Sequence, residues 1–223
     1  KNLRSDVFGN NRRPFVFQEV IDMGGEPITV GQYTGMARVT EFRFGRDLSK
    51  AFNGNIPLKN LRNFGSAWGY ANTNDVVVFV DNHDNQRGHG GGGSILTFRS
   101  SKKYKAATAF KLAYPYGFTR IMSSYKWNIA NDWEGPPSNS DGSTKSVPIK
   151  SDGTCGGGWV CEHRWRQIFS MMQFRNVVFG QPISNWWDNG NNQIAFSRGN
   201  RGFVAFNNNN GDCLCRPTPI ECW

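Results

Sequence analysis

Residues Val76 to Gly90 read VVVFVDNHDNQRGHG. Five apolar residues without polar alternation describe a strand buried on both faces, the habit of a parallel sheet covered by helices. The strand ends abruptly in His83, Asp84, Arg87 and His89. In parallel α/β folds the carboxyl ends of strands carry the chemistry, because the loops converge there while the ladder fixes their positions. The same run therefore points to a fold class and to the place in that fold where a site belongs.

Outward from it, strands and helices alternate. PFVFQEVI at Pro14 to Ile21 is a short aromatic and β-branched run introduced by proline, and RVTEF at Arg38 to Phe42 is a second short strand, followed by the helically spaced GRDLSKAF from Gly45. A helix is predicted over Lys103 to Ala113, a fourth strand in GFTRIMSS from Gly117, and a longer helix over Glu162 to Val178, stopped by Gly180 and Pro182. Strand, connection and helix repeated about four times indicate a parallel α/β sheet with helices packed outside, either doubly wound or part of a (β/α) barrel. Past Pro182, NQIAFSRG and RGFVAFNNNN alternate apolar and polar residues around Gly and Asn turns, which predicts an antiparallel hairpin and a boundary near Gly180.

The composition narrows the function. The chain has 223 residues, 38% of them hydrophobic, and no apolar run of bilayer length, so no membrane partner is expected. It opens with Lys1 and lacks the charged start and apolar centre of a signal peptide, so a processed or incomplete chain is expected. The net charge of +9 comes from scattered residues, and the tightest cluster, Lys102, Lys103 and Lys105, falls on the solvated face of a predicted helix. There is no basic stripe interleaved with stacking aromatics, so no nucleic acid is expected as a partner. Aromatic residues make up 14% of the chain, with 8 Trp among them, and their faces serve either core packing or sugar stacking. Cys155 and Cys161 bracket CGGGWVC, a spacing that can close into a small disulfide ring and lacks the paired C-x-x-C of a zinc site. Such a bond implies an oxidising, extracellular setting. Cys213, Cys215 and Cys222 leave the count odd.

The predicted strand ends present Glu19, Glu41, His83, Asp84 and Arg120. Buried carboxylates on two different strand ends are what glycoside hydrolysis needs: an acid for the leaving oxygen and a carboxylate to support a cationic transition state. Spacing alone favours plainer roles, with Glu19 capping the next turn, Asp84 as a turn or N-cap aspartate, and Arg120 as a carboxylate partner for either.

FVDNHDNQRGHG from Phe79, FVFQEVIDMGGEP from Phe15, RVTEFRFG from Arg38, PYGFTRIMSSY from Pro115 and VCEHRWRQI from Val160 resemble, in order, segments of chloride-dependent alpha-amylases, up to about Asn209. The resemblance implies the C-terminal half of a (β/α)8 TIM barrel, about strands 5 to 8, over residues 1–180, then the start of an antiparallel β-sandwich over 181–210. The tail 211–223, GDCLCRPTPIECW, does not resemble the family. The implied activity is endohydrolysis of alpha-1,4-glucosidic bonds in starch, glycogen and malto-oligosaccharides, with retention of configuration. Glu19 matches the general acid/base, Asp84 the transition-state stabiliser, His83 a substrate-binding imidazole, and His89 with Gly90 to Gly93 a mobile loop over substrate. Asn82 and Arg120 match two chloride ligands, an anion that would help keep the acid protonated. Cys155 and Cys161 match a family disulfide. Calcium ligands, the third chloride ligand and the nucleophilic aspartate of the family have no counterpart in this chain. A secreted monomer is implied at full length, and this chain alone is expected to be unstable and inactive. A non-catalytic carbohydrate-binding relative and an inactive truncated product are the alternatives.

Overall fold

The computed structural model describes residues 7, 9, 12, 14–91 and 93–209. Gly92 and the atypical tail with Cys213, Cys215 and Cys222 lie outside the described residues.

Four strands, β1 (Phe17–Gln18), β2 (Arg38–Thr40), β3 (Val76–Val78) and β4 (Phe118–Thr119), form a parallel sheet in the order β1-β2-β3-β4. Phe17 lies opposite Arg38, Val39 opposite Val76 and Val77 opposite Phe118. Helix α1 (Phe42–Phe52) follows β2, α2 (Ser101–Ala113) follows β3 and α3 (Arg166–Val177) follows β4. The central strand is buried throughout, as its unbroken valines predict.

The ladders are shorter than the apolar runs that announced them, and side chains explain why. Beyond Gln18 the backbone of Val20 bonds the Thr40 hydroxyl on both sides, donating from its N–H at 2.8 Å and accepting at its carbonyl at 3.0 Å. Beyond Thr119 the carbonyl of Arg120 accepts from Lys111 Nζ of α2. Phe42 belongs to a helix rather than to the second strand, which corrects the expected boundary. Glu41 stops the strand by turning its carboxylate onto the start of α1, accepting from Arg43 N–H at 3.3 Å and pairing with both ends of the Arg43 guanidinium at 2.8 Å. Helix α1 then crosses close beneath β3. A Cβ on Gly45 would stand 2.5 Å from the Val80 carbonyl oxygen, so only glycine fits there. The last helix starts later than expected, because Glu162–Arg164 forms a 3-10 turn after Cys161, whose φ is 53°.

Past α3 the sheet character changes. The strands β5 (Ile183–Asp188), β6 (Gln193–Arg198) and β7 (Gly202–Asn207) form an antiparallel sheet in that order. The predicted hairpin is β6 with β7; β5 escaped notice because ISNWWD does not alternate and carries a bulge between Ser184 and Trp187. One apolar core runs through both sheets. Phe110 of α2 meets Phe206 at 5.6 Å and Phe196 at 6.1 Å from the second sheet, and Phe64 at 6.3 Å from the first layer.

Two arginines, the buried Arg198 and the half-buried Arg175, tie the layers. Arg198 of β6 donates to the carbonyls of Ala113 at the end of α2 and of Val178 and Gln181 after α3. Arg175 of α3 donates to the carbonyls of Leu112, Tyr114 and Gly117, so it closes the end of α2 and the turn into β4. Leu112 and Ala113 among them are carbonyls of the last turn of α2, which a helix end leaves without internal partners.

Candidate active site

The carboxyl ends of β1, β3 and β4 meet over a cavity of about 250 Å³ lined by Glu19, Thr40, Asp81, Asn82, His83 and Arg120, among others. Four of the residues singled out from sequence, Glu19, Asn82, His83 and Arg120, therefore share one space although they are up to 101 positions apart, from 19 to 120.

Asn82 is the best-defined member. Its Oδ1 accepts from the main-chain N–H of Asp84 at 3.2 Å and of Asn85 at 2.8 Å, while the Asn85 side chain returns a bond to Asn82 N–H at 2.8 Å. With the oxygen committed to two donors, the amide has one orientation, and its Nδ2 faces Glu19 Oε1 at 3.3 Å. Asp84 follows at the start of a 3-10 turn, and His83 Nε2 stands 3.4 Å from its Oδ1. Glu19 is exposed and Asp84 partly so, which corrects the expectation of buried carboxylates at these two strand ends. The buried carboxylates lie elsewhere: Glu41 is committed to Arg43, and Asp81 and Glu162 sit beneath the site. Nor does Arg120 pair with a carboxylate among the described residues. Its guanidinium lies over the Phe17 ring, 4.8 Å from the centroid, as a cation–π contact.

His89 is set apart from the cavity. Its Nε2 meets Asp132 Oδ2 in the long β4–α3 loop, and its main-chain N–H donates to the Asp84 carbonyl at 3.1 Å. Asp132 had no signal in sequence, since a lone aspartate in a loop has no spacing to read. Arg87, the remaining charge of the opening motif, holds that loop: it donates to the carbonyls of Asp132 and Glu134 and to Tyr125 Oη, and stacks 4.4 Å from the Trp127 ring. The glycine loop after His89 packs tightly at Gly91 and is open at Gly93. Gly91 has φ 67°, and a Cβ there would meet Ile21 and Phe42 at 2.8 Å. Cys155 and Cys161 are joined by a disulfide at the end of the same long loop.

Below the cavity, burial pushes the Asp81 carboxyl up to about 7, against the Tyr104 hydroxyl that donates to its Oδ1 at 2.9 Å. Burial likewise pushes the Lys111 ammonium down to about 7, opposed by the charge of Asp81. Glu162 is raised by burial, although the hydroxyl and N–H of Ser124 both bond its carboxylate. Chemically, the cavity offers a carboxyl able to exchange a proton, an imidazole and an amide suited to hydroxyl groups, and a guanidinium with no acidic partner among the described residues.

A family model, the alpha amylase C-terminal all-beta domain, matches residues 184–213. The chain is 61% identical over 218 residues to an alpha-amylase of Oryzias latipes, covering 93% of this chain and 42% of that protein. It is 57% identical to the pancreatic alpha-amylase of Struthio camelus, covering 93% of this chain and 44% of the relative. Among solved structures, wild-type alpha-amylase I of Eisenia fetida superposes with a TM-score of 0.85 at 49% identity, over 94% of this chain and 43% of that one. A glutamate-to-glutamine variant of the same enzyme, solved as a maltohexaose complex, superposes with a TM-score of 0.86. The chain thus spans about two-fifths of the length of the relatives it matches.

Proposed function

Since the chain belongs to the alpha-amylase family over the stretch it shares with those relatives, we propose that it carries part of the active site of an endo-acting hydrolase of alpha-1,4-glucosidic bonds in starch, glycogen and malto-oligosaccharides. The observation that carries the reading is the convergence of Glu19, Asn82 and His83 from two strand ends on one cavity, with Asn82 Nδ2 3.3 Å from Glu19.

In this reading the four parallel strands are an arc of a (β/α)8 barrel. The strand order supports it: four parallel strands lie side by side in chain order, and a helix follows each of the last three, as successive units of a barrel do.

Glu19 would give a proton to the leaving oxygen and later take one from water, and Asp84 would stabilise the oxocarbenium-like state across the sugar. His83, 3.4 Å from Asp84, would hold sugar hydroxyls next to the cleaved bond. His89, tied to Asp132, would close over the chain of sugars from the far side. Retention also needs a nucleophilic carboxylate, a role assigned to no residue of this chain. The donor set of Asn82 Nδ2 and the Arg120 guanidinium suits a small anion such as chloride. Bound there, its charge would favour the protonated form of Glu19. Calcium is assigned to no described residue, and none of them form a group of three or more His, Cys, Asp or Glu able to hold a metal. We place the protein outside the cell, where the Cys155–Cys161 disulfide persists.

The test is Glu19→Gln in the protein at its natural length. Starch turnover should fall about a thousandfold, in the range of a lost general acid, while malto-oligosaccharide binding persists. Near-normal turnover in that variant would remove Glu19 from the mechanism.

A further inference from the structure

Lys111 is 1% exposed, an unusual place for an ammonium group unless it is bonded. Its Nζ donates to the main-chain carbonyl of Arg120, the first residue past β4. Seven positions earlier, on the same face of α2, the buried Tyr104 donates to Asp81 Oδ1 at 2.9 Å. Asp81 directly precedes Asn82. One helix face therefore holds, by two side chains two turns apart, the ends of two neighbouring strands that carry Asn82 and Arg120. Neither hold is a ladder bond: the β3–β4 ladder pairs Val77 with Phe118 and Val78 with Thr119 and ends in the Arg120 N–H donating to the Val78 carbonyl at 2.9 Å, so Lys111 acts on the Arg120 carbonyl, just past that last ladder bond. The charged groups that act on Lys111 are Asp81, past the end of β3, and Arg175 from α3, while Tyr104 and Glu162 act on Asp81. Asp81 Oδ2 is buried without a hydrogen-bond partner, so the carboxyl is held by Tyr104 alone.

We propose that Lys111 and Tyr104 of α2 are positioning residues that set the separation of Asn82 and Arg120, and with it the fit of the small anion between them. This rests on the reading of Asn82 and Arg120 as anion ligands. A strut of this kind tunes affinity without touching the ion: it shifts the Arg120 main chain along β4, while β1 and Glu19 stay where Thr40 holds the following Val20.

Chloride binding, followed by the broadening of the 35Cl NMR line, tests this in the protein at its natural length without recourse to turnover. Lys111→Met, which fills the same space but removes the donor to the Arg120 carbonyl, should weaken chloride binding roughly tenfold in a protein that still melts in one cooperative transition. Tyr104→Phe, which removes only the hydroxyl, should weaken it in the same direction by about threefold. Unchanged chloride titrations in both folded variants would overturn the proposal. Arg120→Gln separates the two levels: if it abolishes broadening and Lys111→Met does not alter it, the strut alone is wrong. If Arg120→Gln leaves broadening intact, the anion site and the strut fall together.

Discussion

The two sheets hold themselves together by opposite means. In the antiparallel sheet, β6 and β7 pair residue for residue over six positions, from Gln193 with Asn207 to Arg198 with Gly202. In the parallel sheet each neighbouring pair of strands shares only two such positions, extended by single backbone bonds such as Glu41 N–H to the Val77 carbonyl and Arg120 N–H to the Val78 carbonyl, and side chains add to the ladder: the Thr40 hydroxyl on Val20, Lys111 on Arg120, Arg175 and Arg198 on the end of α2. The candidate site sits on the sheet with the thinner ladder. Short ladders leave strand ends free to splay into a cavity, and long-range side chains then fix where each end goes. A site built this way is accurate only while its tethers hold, whereas a hairpin sheet needs little beyond its own turns.

The contrast breaks most severely at Phe110, whose ring touches both layers. Phe110→Ala should cost about 3–5 kcal/mol, as large-to-small core changes do, and should unfold the two sheets in one transition. Two separate transitions by calorimetry would show that the sheets are independent units and that the comparison describes two domains. Arg198 probes the tethers. Arg198→Met removes the side-chain donor of the Ala113 and Gln181 carbonyls, for an expected loss of about 2–3 kcal/mol by chemical denaturation. Hydrogen exchange should then quicken at the end of α2 before it does in β6 and β7, and uniform quickening would argue against a tether.

The smallest effect is the pH response of the buried pair. Asp81 is held above its ordinary 3.8, so the stability it contributes is complete below that value and is lost as the pH rises through about 7. Lys111 is held below its ordinary 10.5, so its contribution is complete above that value and is lost as the pH falls through about 7. Together they leave a shallow minimum in melting temperature near neutrality. Lys111→Met should flatten the alkaline rise and leave the acid side in place; an unchanged alkaline limb would exclude Lys111 as its source.

Sequence made the parallel class legible through the valines of β3, because burial on both faces removes polar residues from alternate positions. It also brought out Glu19, Asn82, His83 and Arg120, which the fold places around one cavity, since strand ends are where such folds converge. What it could not show follows from side chains that replace backbone. The strands at Pro14 and Gly117 looked long because apolar runs do not record that Thr40 or Lys111 will take over the next hydrogen bond. Glu41 looked like a site carboxylate because nothing in RVTEF tells a strand-end glutamate from one that caps the next helix. Asp132 was silent because its partner, His89, lies 43 positions away on another loop. Lys111 carried no signal, because the charges that act on it, Asp81 and Arg175, come from distant parts of the chain that a periodicity does not see.

The bond from Arg198 to Ala113 spans 85 positions of chain. A ribosome adding about 5–20 residues per second leaves the end of α2 without that donor for roughly 4–17 s after Ala113 is made. Through that interval the nascent sheet carries its strand ends and its unfinished helix terminus, and a chaperone bound there would guard the segment until the last hairpin emerges to lock it.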